Sequence, residues 1–232
     1  MAAGPSPLAG GAIRAAFKPA SSDDRSGPGV PLPEAPTLVE LSTATARDGG
    51  IFGFLLAHVP RGQPVLWVQE RMAILEAGRI YPPGLGDIDL IHVAARDARA
   101  ALWAMEEGLR CSALGAVIGE LWGDPQALDF TATRRLAVAA ERSGVAAYLV
   151  RLGGHANLSG ARQRWRIASA PSLPHPLDIK APGLPVWDAD LFRARGVMPG
   201  RWVVHGDGTA DRVGVAGAAA DRTLAEAQRR RG

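Results

Sequence analysis

Between the apolar runs LVEL (38–41) and IFGFLLAHV (51–59) lies the loop STATARDGG (42–50). A strand, a loop and a helix in that order are where an α/β protein holds phosphates. Backbone N–H groups freed by glycines face the phosphate oxygens, a lysine reaches the terminal phosphates, and a Ser or Thr hydroxyl binds magnesium. Here the two glycines come only at the end of the loop, and its single cation is Arg47. The chain has two lysines, Lys18 and Lys180, and neither lies in a glycine loop of the required spacing. Arginine is a larger, planar fork and does not replace a compact ammonium. Glu70, after VLWVQ (65–69), has the chemistry to polarise a water. Glu120, closing AVIGE (116–120), has the chemistry to serve a magnesium. Without a phosphate cradle both are expected to be ordinary acidic residues at strand ends. No G-x-G-x-x-G follows the first strand, which argues against a dinucleotide.

Other reactive side chains form no constellation. Glu106 and Glu107 are adjacent, so on a helix they point about 100° apart and read as a solvated face. His58, His92, His155, His175 and His205 share no metal-ligand spacing. Ser159 and Ser169 lack a nucleophile-elbow context. The single cysteine, Cys111, excludes an internal disulfide and is expected to be a small buried residue. Catalytic, cofactor-binding and metal-ligating residues are therefore expected to be absent.

Two groups of residues suit binding. Arg151, Arg162, Arg164 and Arg166 flank the turn GGHANLSG (153–160) without an acidic residue among them. If 164–169 is a strand, Arg162, Arg164 and Arg166 share one face and Trp165 points inward. These four could form a patch for phosphate or an acidic partner, or a solvated sheet edge. Six tryptophans are many for this length. Trp67, Trp103 and Trp122 are expected in packing. Trp187 and Trp202 lie in a proline-rich stretch, where they either anchor a partner or staple the tail to the domain. With the terminal Arg229, Arg230 and Arg231 they make a candidate partner-binding region.

The elements that must position these residues follow from periodicity. LVEL, VLWVQ, DLIHVAA (89–95), ALGAVIGEL (113–121) and VAAYLV (145–150) are short apolar strands. ARAALWAMEEGLR (98–110) has helical spacing with Asp97 as N-cap, and Phe130–Ser143 is a helix closed by Gly144. RWRIAS (164–169) alternates and reads as a strand near an edge. Strands alternating with helices give βαβ units and a mostly parallel sheet. Three regions result. Residues 1–36, with a short helix at 10–17, are a flexible lead-in. Residues 37–170 are an α/β domain. Residues 171–232 are a proline-rich extension with a short helix near 188–195, a strand at 201–206, a mobile Gly/Ala stretch at 207–217 and a terminal helix at 218–231. This extension is expected to add little core, so truncating it should weaken partner binding more than folding.

The bulk properties fit a soluble, cytoplasmic protein. The 232 residues suffice for one sizeable core; 47% are hydrophobic and 21% charged. No apolar run spans a bilayer and no secretory pattern opens the chain. The formal charge of +3 is milder than that of a dedicated nucleic-acid module.

Several stretches resemble the ImuA family, inducible-mutagenesis proteins of bacteria. They are GRIYPPGL (78–85), LIHVAARDARAALWAMEEGLRCSALGAVIGEL (90–121), RRLAVAAERSGVAAYLVR (134–151), ARQRWRIASAPS (161–172) and GLPVWDADLFRARGVMPGRW (183–202). The resemblance extends over about residues 37–205. It implies a RecA-like, three-layer α/β domain related also to the cell-division inhibitor SulA. It implies a non-catalytic accessory subunit of the SOS-induced mutasome in translesion synthesis, nucleoid-associated during DNA damage. The implied partners are ImuB, an inactive relative of Y-family polymerases, and RecA, with an error-prone C-family polymerase and DNA reached indirectly. By the same resemblance Glu70 falls at the catalytic glutamate of RecA-like ATPases and Glu120 at their magnesium-side strand. The loop after VAAYLVR is short where RecA carries a long DNA-binding loop. Two alternatives stand beside this reading: a degenerate RecA-type ATPase using Arg47 and Glu70, and a direct DNA-binding module using the four internal and three terminal arginines.

Overall fold

A computed structural model describes residues 30–155, 157–178 and 180–206, and the backbone of 213–218. The helices expected at 10–17 and 218–231, and Arg229 to Arg231, lie outside the described residues, apart from Ala218.

The chain runs β1 (Leu38–Ser42), α1 (Gly50–Leu56), β2 (Val65–Glu70), α2 (Arg71–Ala77), a 3-10 turn (Pro82–Leu85), β3 (Leu90–Ala95), α3 (Ala98–Gly108), β4 (Ala116–Trp122), α4 (Phe130–Ser143), β5 (Ala146–Leu152), β6 (Gln163–Ala170), β7 (Val186–Ala194), β8 (Gly200–Gly206) and β9 (Val213–Ala218). These strands form one sheet in the order β3-β2-β4-β5-β1-β6-β7-β8-β9. From β3 across to β6 every pairing is parallel; β6 through β9 pair antiparallel. This is the expected RecA-like α/β architecture.

Alternation along each strand sends side chains to two apolar layers. Val39, Leu41, Trp67, Ile118, Trp165 and Trp187 pack with Ile51, Phe54 and Leu55 of α1. Leu38, Val68, Val117 and Leu149 pack on the other face with Leu102 and Met105 of α3 and Leu136 of α4. The helix ends match their sequence signals. Asp97 and Asp129 accept from the N–H groups of Ala100 (2.8 Å) and Ala132 (2.7 Å). Gly144 closes α4 with φ 75°, a left-handed conformation that favours glycine.

The described strands also correct several expectations. β6 is an interior strand between β1 and β7, not a strand near an edge, because its partner β7 is itself a strand. The helix expected near 188–195 is β7. There Trp187, Ala189 and Leu191 turn inward and Asp188 and Asp190 outward, a period of two rather than 3.6. Residues 213–217, expected to be mobile, form β9 together with Ala218, expected to open a helix. The sheet therefore continues past residue 170. Helix α2 was not foreseen. Trp103 projects from α3 at 64% exposure, opposite the stripe buried by Ala101 and Met105, rather than packing in the core. Cys111 is exposed in the turn after α3 rather than buried.

Candidate functional site

At the start of α1 the loop 42–50 is closed by this chain's own groups. Ser42 Oγ donates to the Trp165 carbonyl at 3.0 Å, and the Thr43 side chain is buried. Asp48 Oδ1 accepts from the Gly50 N–H at 2.9 Å and from Ser169 Oγ at 2.5 Å, and Asp48 Oδ2 accepts from the Ser169 N–H at 2.8 Å. Burial pushes the Asp48 carboxyl up, but the bonds from Ser169 and Gly50 outweigh it and hold the pKa below its usual value. An internal carboxylate thus sits where a phosphate loop would offer N–H groups to an anion. Arg47 is exposed. Neither Gly49 nor Gly50 has a positive φ, so the loop does not take the glycine-dependent turn of a phosphate cradle.

The four arginines read as either a binding patch or a solvated sheet edge are distributed between the interior and the surface. Glu40, on the central strand β1, is 2% exposed, and Arg151 and Arg164 on its two neighbours are each 3% exposed. Arg151 Nη1 donates to Glu40 Oε1 at 3.1 Å, and Arg164 Nη2 donates to the same oxygen at 2.8 Å. Arg151 also pairs with Asp124, which accepts from His155 as well. Arg162 holds Glu141 through two bonds of 2.5 and 3.0 Å, and Arg166 Nη1 meets Asp190 at 3.0 Å. Arg164 and Arg166 both lie 5.1 Å from the Phe192 ring centroid, so they share a face as the alternation implied. Trp165 points to the other face and is fully buried. Each of the four therefore has an internal carboxylate. The sequence conceals this because Glu40 and Asp124 lie far from the arginines along the chain.

Glu70 and Glu120 both act inside the fold. Glu70 Oε2 accepts from the Trp122 N–H at 3.0 Å, tying the ends of β2 and β4 together. Glu120 is 1% exposed, and its Oε2 accepts from Gln69 Nε2 at 2.9 Å and Trp67 Nε1 at 3.3 Å. Burial pushes the Glu120 carboxyl up to about 7, with the bonds from Gln69 and Trp67 offsetting part of that rise. In the unfolded chain it titrates near 4.5. Its contribution to stability is therefore fully present below pH 4.5 and lost as pH rises through 7. Glu120→Gln should remove this dependence. Relative to the variant, the wild type should lose roughly 3 kcal/mol between mildly acidic and mildly alkaline pH in urea titrations.

Among the described residues no group of three or more His, Cys, Asp or Glu could hold a metal ion, and no helix is long and apolar enough to cross a membrane. No protein-family model matches the chain. Over 157 residues it is 36% identical to Protein ImuA of Caulobacter vibrioides, in two strains. The matched region is similar in sequence to that protein. The match takes in 62% of this chain and 61% of the Caulobacter protein, so it spans about three fifths of the curated relatives' length.

In this chain the candidate tryptophan anchors are parts of the core. Trp187 is buried against α1, where a Cβ added at Gly53 would lie 2.7 Å from its ring. Trp202 is partly buried, with its ring centroid 5.6 Å from that of Trp165. Both staple β7 and β8 to the sheet.

Proposed function

We propose that this chain is a non-catalytic accessory protein of DNA-damage-induced mutagenesis. It acts by binding an ImuB-like inactive Y-family polymerase homologue, with RecA as a second candidate partner. The error-prone C-family polymerase and DNA are reached through these partners, on the nucleoid of a damaged cell. The kinship with ImuA supports the process. The observation that carries the non-catalytic role is Asp48: its carboxylate occupies the start of α1 and would repel a triphosphate there. A fluorescent ATP analogue with magnesium should show no saturable binding. Saturable binding lost in Arg47→Ala would instead make the protein a degenerate ATPase.

The partner-binding role falls on the surface and on the terminal arginines Arg229, Arg230 and Arg231, since Trp187 is buried. A chain ending after Ala218 retains every described strand. It should pull down less ImuB while melting at the same temperature as the full chain. Loss of the gene should lower ultraviolet-induced mutation frequency; an unchanged frequency would remove the assignment.

One observation favours a second reading, direct contact with DNA phosphates. Arg134, Arg162, Arg193 and Arg195 line a groove of about 540 Å³ beside α4. If the groove holds a phosphate backbone, affinity should fall with salt with a log–log slope of roughly −3, and Arg134→Ala with Arg193→Ala should flatten it. A salt-independent signal would exclude this reading.

A further inference from the structure

Beneath the segment that follows α2 lies a cavity of about 210 Å³, with Glu120 among its lining residues. Its walls are mostly apolar, with three aromatic rings: Phe52 and Leu56 from α1, Trp67 from β2, then Ile80, Tyr81 and Leu85, while Gln69 and Arg79 add polar groups. Tyr81 stands at the surface, 72% exposed. Of the two Glu120 oxygens, Oε2 receives both available donors, while Oε1 is buried and receives none from the described residues. Leaving a buried acceptor unpaired costs about 1–3 kcal/mol, and more for a charged group. Gln69 cannot turn to supply the missing donor. Its Nε2 also donates to the Gly78 carbonyl at 3.1 Å, and its Oε1 accepts from the Ile80 N–H at 3.3 Å and lies 3.0 Å from His92 Nε2. That same network fixes residues 78–80 as the outer wall.

We propose that this cavity binds a guanidinium or ammonium group on an apolar stem, which donates to Glu120 Oε1. The volume lies below that of sites for drug-sized ligands and suits one side chain or a small amine. Apolar walls accommodate the methylene stem, and aromatic faces attract the cation. A cation supplies both a donor and the compensating charge, and such charge-assisted bonds are about twice as strong as neutral ones. The charged and titratable groups near Glu120 are Arg79 and Tyr81 on the outer wall and His92 behind Gln69; α1 contributes only Phe52 and Leu56. The site is independent of the role proposed in mutagenesis. The cation could arrive as an arginine or lysine side chain of a partner or as a free small amine.

The test titrates the full chain with n-butylguanidinium and with uncharged n-butylurea, following the Trp67 indole N–H by nitrogen–proton NMR. Butylguanidinium should move that resonance with an affinity of about millimolar order. Butylurea and the Glu120→Gln variant should bind at least about tenfold more weakly. Because the cation favours ionised Glu120, wild-type affinity should rise from pH 6 to pH 8, a readout that remains if the variant fails to fold. Equal binding of the urea, unchanged binding in a folded Glu120→Gln variant, or an unmoved Trp67 signal would each overturn the proposal. A short arginine-containing peptide identifies the source. Competition with butylguanidinium assigns the site to a partner's side chain, and its exclusion assigns it to a free amine.

Discussion

Glu40→Ala is expected to lower the unfolding free energy by about 3–5 kcal/mol, the usual cost of removing one partner from a buried ion cluster. For a chain of this size that is roughly 10 °C in Tm. The reason is local. Glu40 Oε1 accepts from both Arg151 and Arg164, so its loss leaves two guanidinium groups facing each other inside the sheet. The cluster is itself incompletely satisfied: Glu40 Oε2 and the Nε atoms of both arginines have no partner among the described residues. Replacing all three by Leu, Met and Met should therefore recover much of what the single change loses. Urea titrations of the three proteins provide the measurement. A loss below about 1 kcal/mol in Glu40→Ala would mean that water reaches the cluster.

Ending the chain after Ala170 is expected to abolish folding, contrary to the expectation that residues beyond 170 add little core. That truncation deletes β7, β8 and β9 and turns interior β6 into an open edge. It also removes Trp187, Ala189, Leu191 and Val204 from the core beneath α1. At about 1.5–3 kcal/mol for each large apolar side chain, the loss approaches the whole stability of a domain. Trp187→Ala alone should cost about 3–5 kcal/mol by opening a cavity over Gly53. Circular dichroism and thermal melts of both proteins decide the matter. A truncated chain melting cooperatively near the wild-type temperature would show that residues 37–170 form a self-sufficient domain.

The parallel half of the fold was legible because its signals are local. Asp97, Asp129 and Gly144 mark helix ends, and the runs VLWVQ and VAAYLV mark buried strands. The antiparallel half was masked by prolines, which suggested an extended surface segment although VWDADLFRA alternates at strand period. The candidate site was less legible still. Arginines 164 and 166 look alike in sequence, yet one lies on β6 beside the buried Glu40 and the other beside the half-buried Asp190. Asp48 gave no signal either, because its partner Ser169 lies 121 residues further along the chain.

The place of β1 in the sheet order sets a kinetic problem during synthesis. Glu40 must wait for Arg151, 111 residues later, and for Arg164, 124 residues later. At translation rates of about 5–20 residues per second, LVELS spends roughly ten seconds outside the ribosome before either flanking strand exists. Throughout that interval an apolar strand with two bare edges is open to wrong neighbours. Slow ribosomes or crowded expression should therefore raise the aggregated fraction, and a holdase chaperone that shields the nascent strand should lower it.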